Sequence, residues 1–107
     1  MTTAYVDTPL LKVAYEVTGP ADGFPLILLH GWPDDVRTWD PALPALHRAG
    51  YRTYAPWLRG YGPTRFLRDD TYRSGQLVAL GRDLVDFVRA LGIKRHALVG
   101  HDWGSRA

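Results

Sequence analysis

The sequence predicts an α/β protein, with a mostly parallel sheet flanked by helices. Short apolar segments typical of strands alternate with helical segments along the chain. One of them, Pro25 to His30, is apolar without alternation, as expected for a strand covered on both faces. Another, Leu98 to Gly104, has the composition of a strand, a sharp turn and a helix start. We therefore expect the later strands to be parallel and joined by helical crossovers.

Composition and charge exclude several classes of protein. The chain has 107 residues, no cysteine and a net charge of +2, and Lys12 and Lys94 are its lysines. Its arginines are interspersed with aspartates, so we predict no nucleic-acid surface. The lack of cysteine excludes disulfides and thiolate metal sites. Neither a signal peptide nor an apolar run long enough to cross a bilayer is recognised, so we expect a cytoplasmic protein with no membrane partner.

Two strands are predicted before the apolar one. Tyr5 to Val6 is short, whereas Leu10 to Val17 alternates apolar and polar residues with the period of a half-buried strand. Gly19 to Gly23 has the composition of a turn. After the apolar strand, glycine and proline in Gly31 to Asp35 predict a loop.

Two helices and two more strands follow in the prediction. The first helix begins either at Asp40, with Pro41 at its first position, or later, because Pro44 would remove a backbone donor inside the longer helix. Gly50 occupies the position of its C-terminal cap. The remaining segments are a strand from Tyr51 to Ala55, an irregular stretch from Pro56 to Arg73, a helix from Ser74 to Leu91, and a strand from Arg95 to Gly100.

The candidate catalytic residue is Asp102, in the segment Gly100-His101-Asp102-Trp103-Gly104. Small residues two positions either side of a nucleophile are typical of the nucleophile elbow, a strained strand-to-helix turn. The helix that follows would direct its N–H groups at the turn. The alternative is that Asp102 simply caps a helix. Ser105 is not a second candidate, because Trp103 stands where that elbow would need a small residue.

An aspartate at this position indicates a particular chemistry. A carboxylate is already ionised at neutral pH, so alkylation of Asp102 needs no base to activate it. Attack on an ester carbonyl would instead give an anhydride, a poor intermediate, which argues against a lipase. No metal site is predicted, because the histidines lack ligand spacing and the pairs Asp34-Asp35 and Asp69-Asp70 are typical of solvated loops.

Three motifs, His30-Gly31-Trp32-Pro33, Arg59-Gly60-Tyr61-Gly62 and Gly100-His101-Asp102-Trp103-Gly104, occur in that order. Together they resemble the epoxide hydrolase and haloalkane dehalogenase branch of the α/β-hydrolases. The resemblance implies that Asp102 attacks a saturated carbon of a small epoxide or alkyl halide and forms a covalent ester. It also implies that the backbone N–H groups of Trp32 and Trp103 form the oxyanion hole when water hydrolyses this ester. It implies no cofactor.

The histidines do not supply the base that hydrolysis of the ester requires. His101 is next to Asp102 and its side chain should point away from it. His30 ends a buried strand and is interpreted as structural, and His47 and His96 as surface or helix-end residues. In the family that is resembled, the base histidine and its acid come after the elbow, where no residue here matches them. We therefore expect the chain alone to be inactive.

Residues 1–107 are accordingly interpreted as a partial α/β-hydrolase core domain, ending just after the elbow and lacking the cap and the C-terminal strands. The Trp32-Pro33-Asp34 loop favours an epoxide hydrolase, because haloalkane dehalogenases usually carry asparagine after the glycine of this loop. Trp57 departs from the family, which usually has aspartate there. A haloalkane dehalogenase and a non-catalytic fragment or interaction partner stay open as alternatives. If the chain is a non-catalytic fragment or an interaction partner, the uncovered edge of an incomplete sheet would allow self-association.

Overall fold

The computed structural model describes residues 3–31, 36–68 and 77–100. The strands are β1 Thr3–Asp7, β2 Leu11–Thr18, β3 Phe24–Leu29, β4 Tyr51–Pro56, β5 Arg65–Phe66 and β6 Ala97–Gly100. The helices are a 3₁₀ helix Val36–Ala42, α1 Leu43–Arg48 and α2 Leu77–Ala90. None of the helices in this part of the chain has the length and apolar character needed to cross a membrane.

The strands form one mixed sheet in the order β1-β2-β4-β3-β6, with β5 added to β2. The pairings β1 with β2 and β2 with β4 are antiparallel. The pairings of β3 with β4 and with β6 are parallel, which confirms the predicted class and the parallel later strands. Strand β5 was not predicted: it lies in the stretch expected to be irregular, and its Phe66 pairs with Leu11.

The centre of the sheet is β3, which is buried on both faces as predicted. Ile27 and Leu29 share an apolar cluster with Phe87 of α2. Leu26 and Leu28 belong to a second cluster, on the side of α1 and the 3₁₀ helix. An uninterrupted apolar segment is therefore required from Leu26 to Leu29, because these side chains face helical layers on both sides of the sheet.

Burial alternates along strand β2 only in part. Leu11 and Val13 are buried in the α2-side cluster, as the period of two predicts. Ala14 points to the other face but is fully buried as well, so the expectation of a half-buried strand is wrong at this position. The loop after β4 covers it: Trp57 N–H donates to the Ala14 carbonyl at 2.9 Å, and Ala14 N–H donates to Thr64 Oγ1 at 3.0 Å.

The first helical segment takes the later of the two predicted starts. A 3₁₀ helix containing Pro41 precedes α1, and Pro44 falls within the first turn of α1, where a missing N–H has no consequence. The start at Asp40 is therefore wrong. Gly50 follows the helix with φ +94°, the left-handed conformation expected of a residue that terminates a helix.

Helix α2 packs an apolar face against the sheet and ends at Ala90, one residue before the predicted Leu91, and Gly92 follows it with φ +71°. Leu80, Phe87 and Val88 are buried on this face, and Phe87 is only 2% exposed. Its ring packs edge-on against Tyr15 with centroids 5.3 Å apart. Ser74, the predicted cap, lies outside the described residues.

The last strand, β6, is only partly covered by the helical layers. Leu98 and Val99 are 47% and 41% exposed, and they are in register with Ile27 and Leu28, which face opposite layers. Ala97, at the start of the strand, still packs against the cluster on the α1 side. Among the described strands, only β3 pairs with β6. The sheet is incomplete at this edge, as the sequence predicts.

Candidate active site

Two of the three predicted motifs begin at neighbouring strand ends. Leu29, the last residue of β3, is in register with Gly100, the last residue of β6, and the two strands are parallel. His30 and Gly31 continue directly from β3 and are buried. Within the sequence-predicted site, the structure thus brings together His30, Gly31 and Gly100.

The other predicted site residues lie outside the described residues. They are Trp32, Pro33, Asp102, Trp103 and Gly104, and His101, which is rejected as the base, lies outside the described residues as well. The nucleophile and both proposed oxyanion-hole amides are among them, so their roles stay predictions. Asp102 is two residues beyond Gly100 in the sequence, and Trp32 directly follows Gly31.

The His30 imidazole lies just beyond the C-terminal end of β3 and is fully buried. Its Nδ1 lies 3.0 Å from the Gly31 carbonyl oxygen, and its Nε2 accepts the Leu58 N–H at 3.1 Å. Since a carbonyl can only accept, Nδ1 must carry the proton, and since an N–H can only donate, Nε2 must be bare. His30 is thus neutral, with its proton on Nδ1. The ring of Tyr61 packs edge-on against it, with centroids 4.8 Å apart.

The segment 57–64, which we call the β4 loop, is compactly hydrogen-bonded rather than irregular. Thr64 Oγ1 donates to the Trp57 carbonyl at 2.9 Å, and Tyr61 N–H donates to the Leu58 carbonyl at 3.0 Å. Thr64 is only 3% exposed. This loop contains the second motif and, through Leu58, is bonded to His30 of the first.

Arg59 of the β4 loop forms a buried ion pair with Asp83 of α2. Its Nε and Nη2 donate to Asp83 Oδ2 and Oδ1 at 2.6 and 2.7 Å, and the two side chains are 8% and 10% exposed. Hydrogen bonding to Asp83 raises the pKa of Arg59 above its ordinary value against the opposing effect of burial, so the guanidinium stays charged. The guanidinium also lies 5.3 Å from the centre of the Phe66 ring. Asp83 was not predicted, although an aspartate among the apolar positions of an amphipathic helix is a signal of buried pairing.

A small cavity lies beside this ion pair and is apolar apart from it. Its volume is about 20 Å³, and Leu29, Trp57 and Phe87 are among its lining residues. It has room for one water molecule but not for an organic substrate. In residues 3–31, 36–68 and 77–100, no group of three or more histidines or carboxylates is placed to hold a metal ion.

The β4 loop requires glycine at position 62. Its φ is +51°, and a Cβ there would overlap the Trp57 indole. We expect Gly62→Ala to lower the free energy of unfolding by about 2–4 kcal/mol, since backbone strain and steric overlap add. Chemical denaturation of the chain measures this loss. Gly60→Ala is the matched control: its φ is +79° but a Cβ would meet nothing within 4 Å, so only the strain of about 1–2 kcal/mol is expected. Equal losses in the two variants would contradict the predicted overlap.

His47 and His96 lie away from the strand ends that carry the motifs. His96 is exposed, as predicted. His47 lies near the end of α1, as expected, but it is half-buried and attaches that helix to the sheet. Its Nε2 is 2.9 Å from Thr18 Oγ1 and 3.2 Å from Thr53 Oγ1. Of the two alternatives, a surface or a helix-end residue, the helix end is confirmed for His47, and the hydroxyls that engage it come from distant strands.

Comparison with known proteins identifies the family. Residues 25–106 match the model of the alpha/beta hydrolase fold family. Epoxide hydrolase A of Mycobacterium tuberculosis is 35% identical over 104 residues, covering 97% of this chain and 32% of that protein. The haloalkane dehalogenase of Mycobacterium marinum is 37% identical over 110 residues, covering 95% and 34%. A solved Klebsiella pneumoniae structure superposes with a TM-score of 0.93 at 45% identity, covering 97% of this chain and 34% of that one.

The chain thus spans about a third of the length of these relatives. The family model covers most of the chain, and the order and direction of its strands agree with an α/β sheet. By both sequence and architecture, this chain belongs to the alpha/beta hydrolase fold family.

Proposed function

We propose that residues 1–107 form a partial α/β-hydrolase core domain of an epoxide hydrolase-like enzyme, with Asp102 as nucleophile. The observation that carries the proposal is the parallel register of Leu29 with Gly100. It sets the strand end that precedes Trp32 beside the strand end that precedes Asp102. An ionised carboxylate and two backbone amides are the groups that this chemistry needs from this part of the fold.

The proposed reaction has two steps. In the first, a carboxylate oxygen of Asp102 attacks a ring carbon of the epoxide, the ring C–O bond breaks, and the released oxygen takes a proton from solvent. In the second, water loses a proton to a base and attacks the acyl carbon of the resulting ester. The N–H groups of Trp32 and Trp103 stabilise the oxyanion that forms. Collapse breaks the acyl C–O bond, releases the diol and leaves one water oxygen on Asp102.

The described histidines support the expectation that the chain alone does not complete the second step. His30 would have to give up the Leu58 N–H to accept a proton at Nε2. His47 is engaged by two threonine hydroxyls, and His96 is exposed near the opposite end of β6 from Gly100. We therefore expect little or no diol from styrene oxide with the chain alone, measured by chromatography. Diol formation by the isolated chain that Asp102→Asn abolishes would contradict this.

A haloalkane dehalogenase is the second candidate, and the Mycobacterium marinum relative supports it. Both activities would use the same carboxylate and differ in the leaving group, an alkoxide oxygen or a halide. A graft of residues 1–107 in place of the matching third of epoxide hydrolase A from Mycobacterium tuberculosis separates them. With a matched epoxide and alkyl chloride, we expect diol formation to exceed halide release; the reverse would favour the dehalogenase.

We also propose that the isolated chain self-associates through β6. Among the described strands only β3 pairs with β6, so the other edge of β6 is available to pair with the same edge of a second copy. Gel filtration should show a dimer or larger species, and Leu98→Lys, which charges the exposed edge, should shift it toward monomer. Val85→Lys on α2 is the control, because Val85 is 45% exposed and Leu98 47%. A wild-type monomer at high concentration would contradict the proposal.

A further inference from the structure

We propose that an open groove at the β1 edge of the sheet binds a small zwitterion, such as a free α-amino acid. The groove lies between the β1–β2 turn and α2, with Thr8 and Asp86 among its lining residues, and its volume is about 430 Å³. A volume of this order suits a small molecule. Strands β2, β4 and β3 separate β1 from β6, so the groove is distinct from the proposed catalytic site, and it does not depend on the proposed reaction.

A ligand is indicated by the carboxylate of Asp86, which lines the groove from α2. Its side chain is only 6% exposed, and its Oδ2 is buried with no hydrogen-bond partner among the described residues. Arg82 Nε lies 3.5 Å from this oxygen, beyond the usual range of an N–H···O hydrogen bond. A buried carboxylate oxygen without a donor is unfavourable, so a ligand that brings a charged N–H group would stabilise it.

The groove carries charges of both signs. Asp7 lines it from β1, and the helix contributes Arg82, Asp86 and Arg89, which share one face at the spacing i, i+4, i+7. Among the described residues, neither Asp7 nor Arg89 belongs to an ion pair. Their charges are therefore available to a ligand.

These charges favour a zwitterion over other ligands. A metal ion is disfavoured, because no group of three or more histidines or carboxylates in the described ranges is placed to hold one. A simple amine would complement Asp7 and Asp86 but would be repelled by the arginines, and a simple anion would meet the reverse arrangement. A molecule with both an ammonium and a carboxylate group complements both pairs. Its ammonium group would lie at Asp86 and Asp7, and its carboxylate at the two arginines.

One wall of the groove is fixed, and the other can adjust. Thr8 Oγ1 accepts the Leu11 N–H at 3.0 Å within the β1–β2 turn, and Thr8 is only 6% exposed. The Arg82 side chain is 64% exposed, so it can turn from Asp86 toward the carboxylate of the ligand. The ammonium group then takes the position beside Oδ2 that the guanidinium leaves.

The first test compares three compounds that share a short carbon skeleton. L-alanine carries both charged groups, ethylammonium only the cation and propionate only the anion. Titrated into the ¹⁵N-labelled chain, L-alanine should shift the amide NMR signals of residues 7–9 and 82–90 saturably at millimolar concentrations. We expect it to bind more tightly than either of the other compounds by about tenfold or more, because it forms charge-assisted hydrogen bonds at both ends.

Two variants test the two ends of the ligand separately. Asp86→Asn keeps the shape of the side chain without its charge and should weaken binding of L-alanine and ethylammonium by about tenfold or more. Arg89→Gln should weaken binding of L-alanine and propionate but not of ethylammonium. Asp22→Asn and Arg48→Gln make the same changes at exposed residues that do not line the groove, and should bind all three compounds like the wild type.

Equally tight binding of ethylammonium and L-alanine, or the same shifts with sodium chloride alone, would overturn the proposal. The absence of a saturable shift with L-alanine, or unchanged affinity in Asp86→Asn, would overturn it as well. If Asp86→Asn does not fold, Arg89→Gln still decides, because it changes an exposed side chain, and unchanged affinity for L-alanine in that variant would contradict the proposal. None of these measurements depends on catalytic activity, so the proposed function is tested separately.

Discussion

Replacing Asp102 by asparagine is expected to lower diol formation by about 10⁴-fold or more. The amide has nearly the same shape as the carboxylate but no negative charge, so it cannot form the covalent ester at neutral pH. The measurement is turnover of styrene oxide by the graft into epoxide hydrolase A of Mycobacterium tuberculosis. Asp102→Ala should give the same result, and it cannot regain a carboxylate by deamidation.

The matched control is Asp22→Asn, the same chemical change at an exposed turn residue. We expect this variant to keep wild-type turnover. Circular dichroism of each graft establishes that loss of activity is not loss of folding. Turnover of Asp102→Asn within about tenfold of wild type would contradict the proposed nucleophile, because removing a covalent nucleophile costs far more than that.

Removing the buried carboxylate of Asp83 should have the largest effect on stability. Asp83→Ala leaves the Arg59 guanidinium, 8% exposed, without the carboxylate that accepts two of its hydrogen bonds. Breaking a buried ion pair by removing one of its partners costs about 3–5 kcal/mol, a large part of the stability of a small domain. Denaturant unfolding should show a much lower midpoint or no cooperative transition.

Two further variants identify the cause of this loss. Arg89→Ala removes an exposed arginine from the same helix and should change the free energy of unfolding by less than about 0.5 kcal/mol. The double variant Arg59→Met with Asp83→Leu replaces both charges by apolar groups and should recover much of the stability lost in Asp83→Ala. A loss below about 1 kcal/mol in Asp83→Ala would contradict the importance of the ion pair.

Much of the fold follows from local patterns in the sequence. The unbroken apolar segment predicted a strand covered on both faces, and β3 is that strand. The ends of α1 before Gly50 and of α2 before Gly92 followed from glycine at left-handed positions. Such features depend on a few consecutive residues, so the sequence alone specifies them.

The errors arise where distant residues decide the outcome. The buried Ala14 donates its N–H to Thr64, fifty residues later, a partner that no period along β2 could indicate. The helix-end position of His47 was expected, but its contacts with two distant threonines could not be predicted in the same way. Strand β5 is two residues long and exists only because β2 offers a partner.

In the candidate site too, the motif could be found from consecutive residues, but its contacts could not. The motif Arg59-Gly60-Tyr61-Gly62 was identified as a feature of the family, but its physical reasons came from the structure. Arg59 pairs with Asp83, and Gly62 leaves space for the Trp57 indole. The protonation state of His30 also required the structure, because it depends on the hydrogen-bonding partners of two ring nitrogens.

The most direct test of Asp102 as nucleophile follows the oxygen atom of water. The graft is allowed many turnovers of an epoxide in ¹⁸O-labelled water, and the peptide containing Asp102 is then isolated and weighed by mass spectrometry. Hydrolysis of an ester at its acyl carbon leaves a solvent oxygen on the carboxylate, so we predict ¹⁸O in Asp102 and not in Asp22. Diol formation with no label in Asp102 would show that water attacks the substrate directly, and would contradict the account.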